Sequence, residues 1–244
     1  MDISIIIPIY ITSAKLLAMT KNCLDDLIIG TDGIDNNTEI IVVNDGSPND
    51  NMVSILKNKY KSIKWLDNDK NIGFAGAINA GIIKSSKELV LLLNNDVKIL
   101  DRKWLINLTE SLKTNNWDLT SPKAGELDSN NEYVPNNNKN KYGRFRFQYL
   151  EAWCLLSKRR VYEFVGLFPT EFGSGFFEDA LFCKIVQEDG RFKMGVSPNL
   201  GIAHFNHTTF SESRIDIPKQ YNKNRKKYGE IIKHIQPYSL PKIA

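Results

Sequence analysis

The chain of 244 residues is 42% hydrophobic and 25% charged, enough for one packed α/β core with an appendage. A formal net charge of +4 does not call for a nucleic-acid partner, and much of the excess falls between Lys219 and Lys233. Cys23, Cys154 and Cys183 lack the spacing of a zinc site or a disulfide framework, and no signal peptide or membrane helix is visible before Pro8 breaks the first apolar run.

Ile3 to Ile7 is apolar and β-branched apart from Ser4, which predicts a buried first strand ended by Pro8. Thr12 or Ser13 is placed to cap a helix from Ala14 to about Ile29. After a polar loop from Gly30 to Asn37, Glu39 to Val43 predicts a second buried strand running into Asn44-Asp45-Gly46-Ser47. A helix through Leu56 precedes a third strand at Ile63 to Leu66. The turn Asp69 to Gly73 then opens a helix reaching Ile83. Leu89 to Leu93 is a continuous apolar run, the pattern of a strand buried on both faces, and it ends in Asn94-Asn95-Asp96. Strands and helices alternating at this spacing predict βαβ units and a mostly parallel sheet. Each strand exit then delivers a polar cluster to one sheet edge, where open α/β sheets bind ligands.

Trp104 to Leu112 predicts a further helix. Gly125 to Lys141 is Asn-rich and reads as a mobile loop, either a lid or a tolerated insertion. Leu150 to Leu156 is strand-like and Arg159 to Val165 helical. The Gly- and Phe-rich loop from Phe168 to Phe177 leads into Glu178-Asp179 and a helix from Ala180 to Glu188. Phe192 to Val196 and Ile202 to Phe205 predict two more strands. The organisation expected is one domain over residues 1–212 and a basic, partly helical tail over 213–244.

Several clusters carry chemistry, each with a bland reading beside it. Asp45 before Gly46 offers a carboxylate to a nucleobase N–H or a ribose hydroxyl, but Asp-Gly-Ser is also a plain turn. Asn71, Gly73, Gly76, Asn79 and Gly81 put small residues along a helix start, permitting close contact with a diphosphate or with the neighbouring strand. Asn94, Asn95 and Asp96 supply hard oxygen ligands suited to Mg²⁺ or Mn²⁺ on a diphosphate, or form an Asn-rich turn. Glu178 and Asp179 at a helix start are either dipole caps or a general base for an acceptor hydroxyl. His204, after a short strand, is either structural or a further metal ligand.

In this order, Ile-Ile-Ile-Pro8-Ile-Tyr10, Asn-Asp45-Gly-Ser47, Asn71-Ile-Gly-Phe-Ala-Gly-Ala-Ile-Asn79-Ala-Gly81, Asn-Asn-Asp96, Phe-Phe-Glu178-Asp179 and His204 resemble the family-two glycosyltransferases. Gly-Phe-Ala-Gly and Asn-Asn-Asp-Val look most like the rhamnosyltransferase-type branch, which builds bacterial surface polysaccharides. The resemblance covers about residues 3–207. It implies the GT-A fold of nucleotide-diphospho-sugar transferases, a mostly parallel central sheet flanked by helices. It also implies inverting transfer of one sugar from a nucleoside diphosphate donor, UDP- or dTDP-linked, with Mn²⁺ or Mg²⁺ on the diphosphate.

Carried over by position, Pro8, Tyr10 and Asp45 line the nucleoside pocket, with Asn71, Gly73 and Asn79 nearby and Asn94 and Asn95 at the diphosphate. Asp96 matches the last acid of the family's Asp-x-Asp metal motif, and His204 a histidine near the metal. Asp179 matches the catalytic base, with Glu178 orienting it or binding acceptor. The implied acceptor is a glycan or a lipid-linked oligosaccharide. The isolated cysteines fit a reducing compartment, so the expected setting is cytoplasmic, with the inner face of the membrane as an option. The basic tail fits either an anionic membrane surface or a solvated helix packed on the domain. Two departures stand out: Asn94 replaces the first acid of the Asp-x-Asp metal motif, and Leu181 replaces the second acid of Glu-Asp-x-Asp. These losses leave a non-catalytic nucleotide-sugar or glycan-binding module as a rival. A sugar-nucleotide pyrophosphorylase is a further rival, but it is expected to carry a Gly- and basic-rich loop where Pro8-Ile-Tyr10 stands.

Overall fold

The computed structural model describes residues 1–35, 37–134, 148–205, 212, 215–235, 240 and 243. Its first half is a run of βαβ units: β1 (Ile3–Ile9), α1 (Ala14–Gly30), β2 (Thr38–Asn44), α2 (Asp50–Lys59), β3 (Lys64–Asp67), α3 (Gly73–Lys84) and β4 (Leu89–Leu93). β5 (Val97–Ile99), α4 (Trp104–Thr114), β6 (Leu119–Ser121), β7 (Ala124–Leu127), β8 (Tyr133–Val134), β9 (Tyr149–Leu150) and β10 (Cys154–Lys158) follow. The chain continues through α5 (Arg159–Phe164), α6 (Glu178–Asp189), β11 (Met194–Val196), β12 (Ile202–His204) and α7 (Ile217–Ile232).

Seven strands form the central sheet in the order β11-β6-β10-β4-β1-β2-β3. Every neighbouring pair is parallel except the two that involve β10. The strand side chains alternate between two cores. Ile6, Ile41, Val43, Val90 and Leu92 face one core, with α3, α5, α6 and α7 over it. Ile5, Ile7, Val42, Leu91 and Leu93 face the other, beneath α1, α2 and α4. Both faces are covered, so β4 reads as unbroken Leu-Val-Leu-Leu-Leu rather than as an alternating strand. Ser13 caps α1 by accepting from Leu16 N at 3.3 Å, and Asn49 caps α2 in the same way from Met52 N.

Three sequence expectations change. Pro8 does not end β1, which runs to Ile9. The Ile9 carbonyl accepts from Asp45 N on the β2 side, so by strand alternation Pro8 turns its ring nitrogen toward β4. Pairing with β4 stops at Ile6, so no ladder bond is missing there. The run from Leu150 to Leu156 is two strands, β9 and β10, pairing with different partners on either side of Glu151 to Trp153. The expected loop from Gly125 begins inside β7, which pairs with β8 and β9. Leu127 is buried and anchors that hairpin to the core, while residues 135–147 of the expected loop lie outside the described residues.

Among the described residues, no helix is long and apolar enough to cross a membrane. The three cysteines are free and buried.

Candidate active site

Parallel strands point their carboxyl ends one way, and the polar residues leaving β1, β2 and β4 meet there. They line one cavity of about 720 Å³ together with the start of α6 and the end of β12. Pro8, Tyr10, Asp45, Asn71, Gly73, Asn94, Asn95, Asp96, Glu178, Asp179 and His204 all face it.

Asp45 shows how the strand exits are locked. Its Oδ1 accepts from Asn68 Nδ2 at 2.9 Å and Ile72 N at 3.0 Å, and its Oδ2 from Gly73 N at 3.0 Å. A carboxylate has about four lone-pair sites, so roughly one remains for a ligand. Burial raises the carboxyl above its ordinary value, and these three bonds oppose that. The loop they hold needs glycine at two places. Gly46 has φ +66°, and a Cβ on it would lie 2.4 Å from the Lys70 carbonyl carbon. Gly73 has φ +83°, and a Cβ there would lie 2.1 Å from the Gly173 oxygen. Both the left-handed backbone and the close approach therefore exclude a side chain.

Asn79 does not join the site. Its amide donates to Phe168 O at 2.8 Å and its oxygen accepts from Phe168 N at 2.9 Å, so it pins the loop after α5 instead. Gly81 likewise serves packing, since a Cβ would sit 2.3 Å from Ile6 Cγ2 on β1.

At the exit of β4, Asn95 is buried and donates to Thr20 Oγ1 at 2.8 Å. Asn94 Nδ2 lies 3.2 Å from His204 Nε2, and Asp96 Oδ1 lies 3.0 Å from the same nitrogen. The roles follow the tautomer: a proton on Nδ1 leaves Nε2 to accept from Asn94, and a proton on Nε2 is donated to Asp96 Oδ1. Asn94 Oδ1, Asp96 Oδ1 and His204 Nδ1 are all buried without a hydrogen-bond partner. Buried oxygens in that state call for a partner from outside the chain. The His204 ring is held flat against Trp153, with centroids 4.8 Å apart and planes 10° apart.

The acid pair opens α6. Asp179 Oδ1 accepts from Ala180 N at 2.8 Å and its Oδ2 from Ala152 N at 3.4 Å. Burial, followed by the nearby Glu151 charge, raises its carboxyl well above the ordinary range. Glu178 is buried, its Oε2 has no partner, and burial plus the Asp179 charge raise it too. Phe176 and Phe177 just ahead both have left-handed φ, 72° and 76°, which is rare outside glycine.

Several lining residues escaped the sequence reading. Glu151 accepts from Trp153 Nε1 at 2.9 Å and pairs with Lys123 Nζ at 3.2 Å. Tyr133, Tyr149, Phe176 and Tyr221 give the wall near Asp179 an aromatic character. The one available signal was Glu151 itself, a charge interrupting the apolar run from Tyr149 to Leu156. Tyr221 comes from α7, and nothing in its local sequence points to the cavity.

A doubly covered, mostly parallel sheet with polar strand exits converging on an acid pair has the architecture of the nucleotide-diphospho-sugar transferases, the GT-A fold. Residues 4–165 match the family described as Glycosyl transferase family 2, and the chain belongs to that family. It is similar to dolichyl-phosphate beta-glucosyltransferase ALG5C of Trichomonas vaginalis, 41% identical over 83 residues that make up 32% of this chain and 24% of that one. It is also similar to an uncharacterized glycosyltransferase of Rickettsia bellii, 27% identical over 168 residues, 68% of this chain and 23% of that one. Among solved structures it resembles the mannosyltransferase PcManGT of Pyrobaculum calidifontis, in complex with GDP-Man and Mn²⁺. The TM-score is 0.65 at 16% identity, covering 92% of this chain and 64% of that one. The chain thus spans about a quarter of the length of these curated relatives.

Proposed function

We propose that the protein transfers one sugar, with inversion, from a nucleoside diphosphate donor to a hydroxyl of a glycan acceptor. The observation that carries this reading is one cavity holding two kinds of chemistry. Strand-end groups suited to a nucleotide diphosphate stand in it with a carboxylate pair whose proton affinity is raised.

The donor end runs from Pro8, Tyr10 and Asp45 to the exit of β4. The unpartnered oxygens of Asn94 and Asp96, with His204 Nε2 beside them, fit a hard divalent cation. Among the described residues no group of three His, Cys, Asp or Glu side chains is placed to hold a metal, so an ion held here would need further oxygen ligands such as the donor's phosphates. Such an ion neutralises charge developing on the departing diphosphate. His204 is kept in place by the Trp153 stack, with Asn94 Nδ2 3.2 Å from its Nε2.

At the other end Asp179 takes the proton of the acceptor hydroxyl as it attacks the sugar. A carboxyl raised toward neutrality is a stronger base than an ordinary one, and Ala152 N and Ala180 N aim it. Inversion needs one such base and no covalent carboxylate intermediate. Glu178 orients the acceptor side of the pair.

The motifs Gly-Phe-Ala-Gly and Asn-Asn-Asp-Val favour the rhamnosyltransferase-type branch, with a UDP- or dTDP-linked donor, and a role in polysaccharide synthesis. Lys219, Lys223, Lys226 and Lys233 are exposed on α7 or at its end and suit contact with an anionic membrane carrying a lipid-linked acceptor. The test is a thermal-shift screen of UDP-, dTDP- and GDP-linked sugars with and without Mn²⁺, followed by product stereochemistry from proton NMR. Binding to the native state raises the melting temperature by mass action. A screen in which no nucleotide sugar binds, or a product of retained configuration, overturns the proposal. Binding without turnover identifies a non-catalytic module instead.

A further inference from the structure

The segment between Phe172 and Phe177 is backbone-strained, and it decides where the acid pair points. Gly173, Gly175, Phe176 and Phe177 all have positive φ, at 65°, 140°, 72° and 76°. Phe177 is the residue before the first turn of α6, so Glu178 and Asp179 inherit its direction. A phenylalanine pair in left-handed conformation persists only where the surroundings over-determine it. The surroundings here come from the C-terminal helix.

Asn224 on α7 is 1% exposed, with its Nδ2 at 2.7 Å from Phe172 O, 2.6 Å from Gly175 O and 3.4 Å from Phe176 O. An amide nitrogen has two hydrogens, and the two short contacts take them. Gln220 Nε2 adds a bond to Phe172 O at 2.9 Å. The Tyr221 ring meets Phe176 edge-on at 5.8 Å, and Tyr228 lies 5.4 Å from Phe177. On its far side the loop presses on Gly73, whose missing Cβ leaves room for the Gly173 carbonyl. The loop is thereby clamped between the donor end of the cavity and α7.

We infer that Asn224 is a positioning residue for the transfer step: it holds the 172–177 loop in its strained path and so sets the direction of Asp179. The inference rests on the reading of Asp179 as the base. Removing the amide leaves buried carbonyls unpaired and frees the loop to relax. Asp179 then loses its aim and becomes better hydrated. The donor end keeps its own supports, because Asp45, Asn94 and Asp96 leave strands of the central sheet.

The experiment compares Asn224→Ala, Asn224→Asp and Gln220→Ala with the full chain, using Asn222→Ala on the exposed side of α7 as control. Transfer rates are measured across pH below every variant's melting temperature, with donor affinity and hydrogen exchange of residues 172–178. Misaimed catalytic groups cost about tenfold to a hundredfold, so kcat should fall by that factor in both Asn224 variants. Donor affinity should stay within about threefold, since a transition-state interaction is removed rather than a ground-state one. The acid limb of kcat should move to lower pH, and amides 172–178 should exchange faster. Gln220→Ala, which removes one half-buried bond, keeps the test open if both Asn224 variants fail to fold, and it should show the same pattern at smaller size. A kcat within about twofold of wild type, or donor affinity lost in step with kcat, overturns the inference. If the wild-type chain transfers sugar from no donor, the proposed function fails separately. Unchanged exchange over 172–178 in the Asn224 variants then overturns the positioning role by itself.

Discussion

At the scale of single residues, the site is governed by how little water reaches its carboxyls. Asp179 and Glu178 are raised first by burial and then by neighbouring charge, Glu151 for one and Asp179 for the other. A base works deprotonated, so transfer should fall as pH drops through the raised Asp179 value, a limb lying above the ordinary carboxylate range. Glu151→Gln removes a like charge and should shift that limb to lower pH in a kcat-against-pH profile. Asp179→Asn should abolish transfer while donor binding persists; full activity in this variant would remove Asp179 from its role.

The same shifts have a sign for stability. A carboxyl raised in the folded state binds its proton more tightly than in the unfolded chain. Stability is therefore greatest below the unfolded value and falls as pH rises through the folded one. Glu178→Gln should accordingly gain on wild type as pH goes from 5 to 8, by on the order of 1 kcal/mol, read as a growing difference in melting temperature. A difference that shrinks with pH would show that Glu178 is not held protonated.

Among elements, α3 decides how the donor end is built. It starts at a glycine with positive φ, beneath a carboxylate from β2 and against the loop before α6. Gly73→Ala forces an L side chain into a left-handed position and into the Gly173 carbonyl. It should lower stability by about 1–3 kcal/mol in thermal unfolding and weaken donor binding in a calorimetric titration. Asn79, six residues on, should behave differently. Asn79→Ala breaks two buried bonds to Phe168 and should cost about 1–3 kcal/mol while leaving donor affinity unchanged. A loss of donor affinity without a loss of stability would return Asn79 to the site.

Across the whole molecule, the C-terminal helix belongs to the same core as the sheet. Tyr228 is buried against Phe177, and Tyr221, Ile231, Ile232, Ile235, Leu240 and Ile243 pack with that cluster. Burying a large apolar side chain contributes about 1.5–3 kcal/mol. Ending the chain at residue 212 should therefore lower the melting temperature by more than about 10 °C at 2–4 °C per kcal/mol. A truncated chain that melts with the full one would make the tail an independent appendage.

The alternation of strands and helices and the cluster at each strand exit are written in the linear chain. Leu89 to Leu93 was legible because a strand buried on both faces leaves no polar residue in its run. Asp45 and Asp96 were legible as strand-exit carboxylates because each follows a buried apolar run within two or three residues of its end. The parallel sheet then brought these exits into one cavity. Other features depend on contacts between distant segments. The split into β9 and β10 follows from which strands lie alongside, not from the composition of the run. Glu151 acquires its meaning from Asp179, and Asn79 from Phe168, partners far away in the chain. Asn224 reads locally as one polar residue in a basic helix. Only its place against the carbonyls of Phe172 and Gly175 gives it work to do. Hydrophobic periodicity is a local signal, and hydrogen-bond satisfaction in a buried loop is a long-range one.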